Sequence, residues 1–174
     1  MDEPVLLGSR SYIVFLLILM VARGADFLST WVATPNLILE ANPIAKRLRW
    51  RWGIILNVTL CFAFAFWPLP AIIISTTSAL VAARNFQTAW LMRAAGEEKY
   101  RLWVLEHLEA TPLGLFMFCL VAQTFLVGGV GTILIYFAEF QMVPLGIGLG
   151  LIAYALTILI FTTISLWRNR QALR

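Results

Sequence analysis

The chain has 174 residues, of which 61% are hydrophobic and 13% are charged, and its formal net charge is +4. Soluble domains are nearer half apolar and a quarter charged, so the composition excludes an ordinary soluble domain and predicts a single transmembrane domain over 1–174. The basic residues flank apolar stretches instead of lining a polar face, and we therefore expect no nucleic-acid partner.

Five apolar stretches predict membrane-spanning helices. They cover, in approximate bounds, residues 12–33, 43–67, 69–92, 113–138 and 143–167. Most are close to the ~20 residues that a helix needs to cross ~30 Å of hydrocarbon. The second helix is expected to start before its apolar core, because Asn42 is a good N-cap and Pro43 suits the first helical position. The sequence thus predicts an all-α integral membrane protein with five spans.

A shorter helix is predicted over about 97–109, between the third and fourth spans. Its aromatic and apolar residues recur at helical spacing, which is typical of an amphipathic helix lying on a membrane surface. Glu106, His107 and Glu109 are weak candidates for metal ligands on this helix, although such a triplet more often forms a solvated helix face. We expect neither a metal ion nor a cofactor.

The distribution of positive charge predicts the orientation of the chain. Most of the 13 basic residues fall between spans one and two, between spans three and four, or after span five. Because basic residues accumulate in cytoplasmic segments, the amino terminus is expected outside and the carboxyl terminus in the cytoplasm. The expected location is the cell membrane, which is the inner membrane if the protein is bacterial.

Two charges, Arg23 and Asp26, interrupt the first apolar stretch. A charge in hydrocarbon costs at least ~2.5–3.5 kcal/mol, so such groups normally face the helix bundle and pair. We expect Asp26 to pair with Arg23 or Arg84 within one polar layer, whether that layer locks the helices together or forms a working site. The members of this layer are Arg23, Asp26, Thr30, Asn57, Arg84 and Asn85, with Gln123 at similar depth.

Asp26 and Thr30 form a D-x3-T pattern, and E-A-N-P follows at Glu40–Pro43. This pairing resembles an uncharacterised family of small prokaryotic polytopic membrane proteins. The resemblance covers about twenty of the 174 residues, and it implies a membrane location without an activity. From the residues themselves, Thr30 lies one turn from Asp26 and could hydrogen-bond to it. Glu40 and Asn42 either cap the second helix or form a site with Asp26.

Glycines in the last two spans predict close helix packing. Small residues let membrane helices approach one another, and Gly146 and Gly150 have the spacing of a small-xxx-small pattern. Gly128 and Gly131 lie in the fourth span. These glycines are expected to pack within the chain or to form an interface with another subunit.

Three functions are compatible with this sequence. A structural or accessory subunit of a larger membrane complex, or a self-assembling scaffold, is favoured by the small size and the glycine-faced spans. The first alternative is an oligomeric transporter or channel that uses Arg23, Asp26 and Arg84. The second is a lipid-acting enzyme with Asp26, Glu40 and Glu106 as acid–base groups. The sequence favours a non-enzymatic role, with the lipid bilayer, other membrane subunits or copies of the chain as partners.

Overall fold

Six helices and no strand are found in residues 3–40 and 42–172, the part of the chain that this computed structural model describes. The helices are α1 (Arg10–Ala33), α2 (Pro43–Phe64), α3 (Pro68–Ala95), α4 (Glu97–Ala110), α5 (Leu113–Tyr136) and α6 (Met142–Ala172). The all-helical prediction is confirmed, and α1, α3, α5 and α6 are long and apolar enough to cross a membrane. Ala41 of the E-A-N-P stretch and the terminal basic residue Arg174 lie outside the described residues.

Two helix starts follow directly from local sequence. The Ser9 side chain accepts a hydrogen bond from the Tyr12 amide at 3.2 Å, which caps α1. The Asn42 side chain accepts from the Ile44 amide at 2.9 Å, and Pro43 occupies the first turn of α2. Both caps satisfy amides that have no partner inside the helix. The second helix therefore begins at the residues that its sequence indicates.

Helices α1 and α3 pack side by side and point in the same direction. Arg23 on α1 donates a hydrogen bond to Ser78 on α3 at 3.1 Å. Further along both helices, Asn85 donates to Ser29 at 3.3 Å. The contacting positions increase together along the two helices, so the helices are parallel. Small buried side chains, including Ala82, let the two helices approach closely.

Helix α2 returns along α1 in the opposite direction. Gly53 lies against the Phe27 ring, with 3.3 Å between the ring and a Cβ built on the glycine, and the Tyr12 hydroxyl donates to the Phe62 carbonyl at 3.3 Å. The helix is interrupted at Arg49, where φ is 55° and ψ is −176°. This left-handed conformation is costly for a residue with a side chain. It separates a short basic segment at the start of α2 from the longer part of α2 that packs along α1.

Helix α6 packs against α3 through two of its glycines and runs parallel to it. A Cβ on Gly146 would lie 2.7 Å from an Ile72 side-chain carbon, and one on Gly150 would lie 2.7 Å from the Thr76 Cβ. The Thr77 hydroxyl also donates to the Gly150 carbonyl at 3.1 Å. The absence of a side chain at these glycines is what permits the contact.

Helix α5 packs on the other side of α6 and runs antiparallel to it. A Cβ on Gly131 would lie 2.7 Å from the Gly148 carbonyl oxygen, and a Cβ on Gly148 would lie 2.7 Å from the Gly131 carbonyl oxygen. Gly128 is in ordinary van der Waals contact, at 3.9 Å from Ala155. In the described structure, α6 is therefore a central helix, and the glycines pack within the chain.

Helix α4 contacts the turn after α1 through its first residue, Glu97, and none of its residues is buried. Stacked rings follow one edge, with the Trp103 ring centroid 4.2 Å from that of His107. The His107 Nδ1 atom lies 2.8 Å from the Trp103 carbonyl oxygen. Across the described ranges, no group of three His, Cys, Asp or Glu side chains could hold a metal ion. Glu106, His107 and Glu109 therefore do not form the metal site that was weakly indicated.

Candidate functional site

A cavity of about 590 Å³ lies between α1, α2, α3 and α6 and the turn that joins α1 to α2. Apolar side chains from each of these elements line much of its wall, and polar side chains line the rest. The polar and charged residues that line it include Arg23, Asp26, Thr30, Glu40, Asn42, Arg49, Asn57, Ser78, Arg84 and Asn85. The fold thus brings the predicted polar layer, Glu40 and Asn42 to a single cavity.

Arg23 is the residue that connects three helices at this cavity. Its Nη1 atom lies 3.0 Å from Asp26 Oδ2, one turn further along α1, so the predicted contact between these two residues is confirmed. Arg23 Nε donates to Asn57 Oδ1 at 2.6 Å, and the Arg23 Nη2 atom also donates to this oxygen. With the bond to Ser78, the guanidinium group joins α1, α2 and α3.

Arg84 lines the cavity but does not pair with Asp26. Among residues 3–40 and 42–172, Asp26 forms one ion pair, and its partner is Arg23. Asn85, next to Arg84, contacts Ser29 and Thr30, so Arg84 starts about one helical turn beyond Asp26. The Arg84 Nη1 atom is buried and has no hydrogen-bond partner in the described structure. Of the two partners predicted for Asp26, the described structure therefore has Arg23 and not Arg84.

The Thr30 side chain takes part in the contact between α1 and α3, and the predicted hydrogen bond to Asp26 is not found among the described residues. Asn85 Nδ2 donates to the Thr30 hydroxyl at 3.4 Å and to the Ser29 hydroxyl at 3.3 Å. The Ser29 hydroxyl in turn donates to the Asp26 carbonyl oxygen at 2.8 Å. Gln123 is exposed on α5, which packs against α6, and it is not among the residues that line the cavity.

The turn before α2 combines a helix cap with a position at the cavity edge. Glu40 Oε1 accepts a hydrogen bond from the Asn42 amide at 2.7 Å, while the Asn42 side chain caps α2. Glu40 and Asn42 also line the cavity that contains Asp26. The two interpretations of this turn, capping and site formation, are therefore compatible in one geometry. Pro43 follows as the first residue of α2.

Glu97 organises the turn after α1, a role that the sequence does not indicate. Its carboxylate accepts hydrogen bonds from the Thr34 hydroxyl at 2.5 Å, the Asn36 amide at 3.0 Å and the Ile38 amide at 3.1 Å. Burial raises the pKa of Glu97, but these hydrogen bonds to the ionised carboxylate outweigh that effect and hold the pKa below its usual value. The partners lie about sixty positions apart in the chain, so no local pattern reveals them.

We predict that Glu97→Gln loosens the turn over residues 34–38. Because the folded-state pKa is lowered, the ionised carboxylate stabilises the turn above its unfolded-state pKa of about 4.5. That stability is lost as the pH falls through the lower, folded-state pKa. Hydrogen exchange at the Asn36 and Ile38 amides should accelerate in the variant at pH 6, after correction for the intrinsic rate.

The matched control for this prediction is Glu98→Gln, which changes the neighbouring carboxylate. Glu98 lies 3.6 Å from Arg101 in an exposed ion pair, and in the described structure no hydrogen bond joins its side chain to the turn. Its substitution should leave the exchange of the turn amides unchanged. Equal protection in Glu97→Gln and wild type would contradict the role assigned to Glu97.

The described elements form an all-helical protein with helices of the membrane-spanning type and a charged cavity between them. Comparison with family models, with curated proteins and with solved structures finds no match for the chain. The resemblance carried by the D-x3-T and E-A-N-P patterns thus gains no family assignment from these comparisons.

Proposed function

We propose that this chain is a multi-pass membrane protein whose charged cavity binds a polar solute or headgroup, as in a carrier or transporter. The proposal includes one transmembrane domain with five crossing helices, an external amino terminus and a cytoplasmic carboxyl terminus. The expected location is the cell membrane, which is the inner membrane in a bacterium. One observation carries the proposal: a cavity of about 590 Å³ is lined by arginines and carboxylates between helices of membrane-spanning type.

The direction of the helices supports five crossings. Helices α1 and α3 are parallel, so the chain between them must return along their full length, and α2 is the helix that does so. If α1 and α3 cross a bilayer, α2 crosses it too. Its basic residues lower its apolar character, but they all lie in the first half of the helix. The stretch 50–65 then spans ~24 Å at 1.5 Å per residue.

The distribution of positive charge supports the orientation. The basic residues of early α2, late α3, α4 and late α6 lie at one end of the bundle, whereas Arg10 lies at the other end. The positive-inside rule assigns the richer end to the cytoplasm. The cavity, which the turn after α1 borders, then lies in the cytoplasmic half of the protein.

The volume of the cavity and the donor atom Arg84 Nη1 favour the binding of a ligand over a purely structural network of charges. A structural network would place its charges in mutual contact and fill the space between them. Here each nitrogen of the Arg23 guanidinium donates at least one hydrogen bond, whereas the buried Arg84 Nη1 atom has no partner among the described residues. The cavity volume also lies in the range of ~300–1,000 Å³ that is typical of small-ligand sites.

The other functions have less support. An accessory subunit needs a protein interface, and α5 does expose large apolar side chains such as Phe118 and Phe125. Lipid would cover the same side chains, so this surface does not distinguish a protein partner from the bilayer. An enzyme would need an available acid–base pair. Asp26 is held by Arg23, and Glu106 lies on α4 and is not among the residues that line the cavity.

The proposed function is tested by the reactivity of Thr162→Cys and Thr163→Cys. Thr162 lines the cavity, whereas the adjacent Thr163 is exposed on the outer surface of α6. Both variants are made after replacing Cys61 and Cys119 with alanine. An anionic methanethiosulfonate reagent, added to the cytoplasmic side of sealed vesicles, should modify Thr162→Cys about tenfold faster, because thiolates form only where water reaches the sulfur.

The matched positions separate the possible outcomes. Equal rates for the two variants would mean that water does not fill the cavity, and this result would contradict a binding site. Fast reaction of Thr162→Cys from the external side alone would reverse the proposed orientation. Both thiols lie at nearly the same depth along α6, so a difference in depth cannot produce the expected contrast.

A further inference from the structure

We propose that the cavity binds an anionic amphiphile, with a phosphate or carboxylate group on Arg84 and an apolar chain between α2 and α6. This inference rests on the proposed function and names the chemical class of its ligand. It follows from three features of the cavity: its balance of charge, the free donor of Arg84, and the apolar side chains beside them.

The charges that line the cavity favour an anion. Arg23, Arg49 and Arg84 line the cavity together with the carboxylates Asp26 and Glu40, but Arg49 is exposed, so water screens its charge. Inside the cavity Asp26 compensates Arg23, whereas Arg84 has no ion pair in the described structure. A charge of either sign is costly in a membrane interior unless it is compensated. A ligand with one negative charge would compensate Arg84, whereas a cation would not.

Arg84 is the residue with donor capacity for that ligand. The guanidinium of Arg23 is already engaged by Asp26, Asn57 and Ser78. The Arg84 Nη1 atom is buried without a partner in the described residues, and a buried donor left in this state costs free energy. Phosphate and carboxylate oxygens match the planar arrangement of guanidinium donors and form the strongest hydrogen bonds with them.

The apolar side chains that line the cavity on α2 and α6 favour an amphiphile over a free anion. Leu56 and Leu60 line it from α2, and Ile158 and Phe161 line it from α6. Helix α2 packs against α1 and α3 and has few or no contacts with α6, so these side chains face a gap between helices. An acyl chain would bury its surface there, whereas inorganic phosphate would leave the gap unfilled.

Binding is measured by native mass spectrometry of the full chain in a neutral maltoside detergent. The probes are dioctanoyl phosphatidylglycerol, which is anionic, dioctanoyl phosphatidylcholine, which has the same chains and no net charge, and inorganic phosphate. Because a hydrogen bond to a charged group contributes enough free energy for about a tenfold to hundredfold effect, wild type should prefer phosphatidylglycerol over phosphatidylcholine by at least about tenfold. Inorganic phosphate should bind more weakly than phosphatidylglycerol.

Two variants test the two halves of the ligand. Arg84→Gln should abolish the preference for the anionic lipid, whereas Arg93→Gln should retain it, because Arg93 lies over the Trp31 ring outside this cavity. Ile158→Trp should fill the gap and weaken lipid binding without affecting phosphate. This second variant keeps the proposal testable if Arg84→Gln does not fold.

Three outcomes would overturn the inference. They are the absence of a preference between the two lipids in wild type, the same preference in Arg84→Gln, and binding of inorganic phosphate as tight as that of phosphatidylglycerol. The last outcome would identify a soluble anion as the ligand. Each could occur while Thr162→Cys still reacts faster than Thr163→Cys, so this inference can fail without failure of the proposed function.

Discussion

Replacement of Asp26 with alanine should lower the free energy of unfolding by about 3–5 kcal/mol, the usual effect of breaking a buried ion pair. Arg23 would keep its bonds to Asn57 and Ser78 but lose the 3.0 Å contact that balances its charge. The side chains of Arg23 and Asp26 are only 29% and 18% exposed, so water cannot replace the carboxylate fully. Unfolding by sodium dodecyl sulfate in mixed micelles gives the measurement.

The chain provides a matched control for this prediction. Glu98 and Arg101 also form an acid–arginine pair at a spacing of three, but their side chains are 64% and 47% exposed. Removal of the acid by Glu98→Ala should change the free energy of unfolding by less than about 1 kcal/mol, because water screens exposed pairs.

A double variant tests whether the effect of Asp26→Ala comes from the stranded charge. Arg23→Leu combined with Asp26→Leu removes both charges and should recover much of the lost stability, since apolar pairs of similar volume replace buried ion pairs with little cost. An unchanged unfolding midpoint for Asp26→Ala alone would show that Arg23 does not need this carboxylate. A double variant as unstable as Asp26→Ala would attribute the loss to packing instead of charge.

Replacement of Gly148 with alanine should destabilise the protein by about 1–3 kcal/mol through overpacking of the contact between α5 and α6. The new Cβ would lie 2.7 Å from the Gly131 carbonyl oxygen and 2.7 Å from an Ile135 side-chain carbon. A backbone carbonyl cannot rotate away as a side chain can, so the helices must separate. The same measurement in mixed micelles detects the loss.

Gly129→Ala is the control for Gly148→Ala. Both glycines lie inside helices, so both substitutions gain the same ~0.5–1 kcal/mol of helical preference. A Cβ on Gly129 meets nothing within 4 Å, so this variant should be as stable as wild type or slightly more stable. Gly131→Ala should resemble Gly148→Ala, because it places a Cβ against the same contact from the other side. Equal stability of Gly148→Ala and Gly129→Ala would contradict the close packing.

Most of the helices could be predicted because their signals are local. A run of about twenty apolar residues that crosses hydrocarbon favours a helix, since only a helix satisfies its backbone groups within a single segment. The Asn42–Pro43 start of α2 depends on groups within three residues of one another. The contact between Arg23 and Asp26 is also local, because residues three apart on a helix lie on one face. The length and composition of each segment are sufficient for these features.

The surroundings of Arg84 and Glu97 could not be predicted from the sequence. Depth along a helix can be inferred from topology, but depth does not specify which way a side chain points or which neighbour reaches it first. Arg23 forms the ion pair with Asp26 from the same helix, and Arg84 lines the cavity instead. Glu97 meets the turn after α1 because α3 runs parallel to α1 and delivers it there.

The all-helical class, the apolar spans and the pair of charges in α1 follow from the sequence, because each depends on residues that are near one another in the chain. The central position of α6 and the cavity between α1, α2, α3 and α6 come from the tertiary structure. These features depend on which small side chains let two helices approach closely. They also depend on where a space is left between α2 and α6. Such choices are made by contacts between residues that are distant in sequence, and only the folded chain brings those residues together.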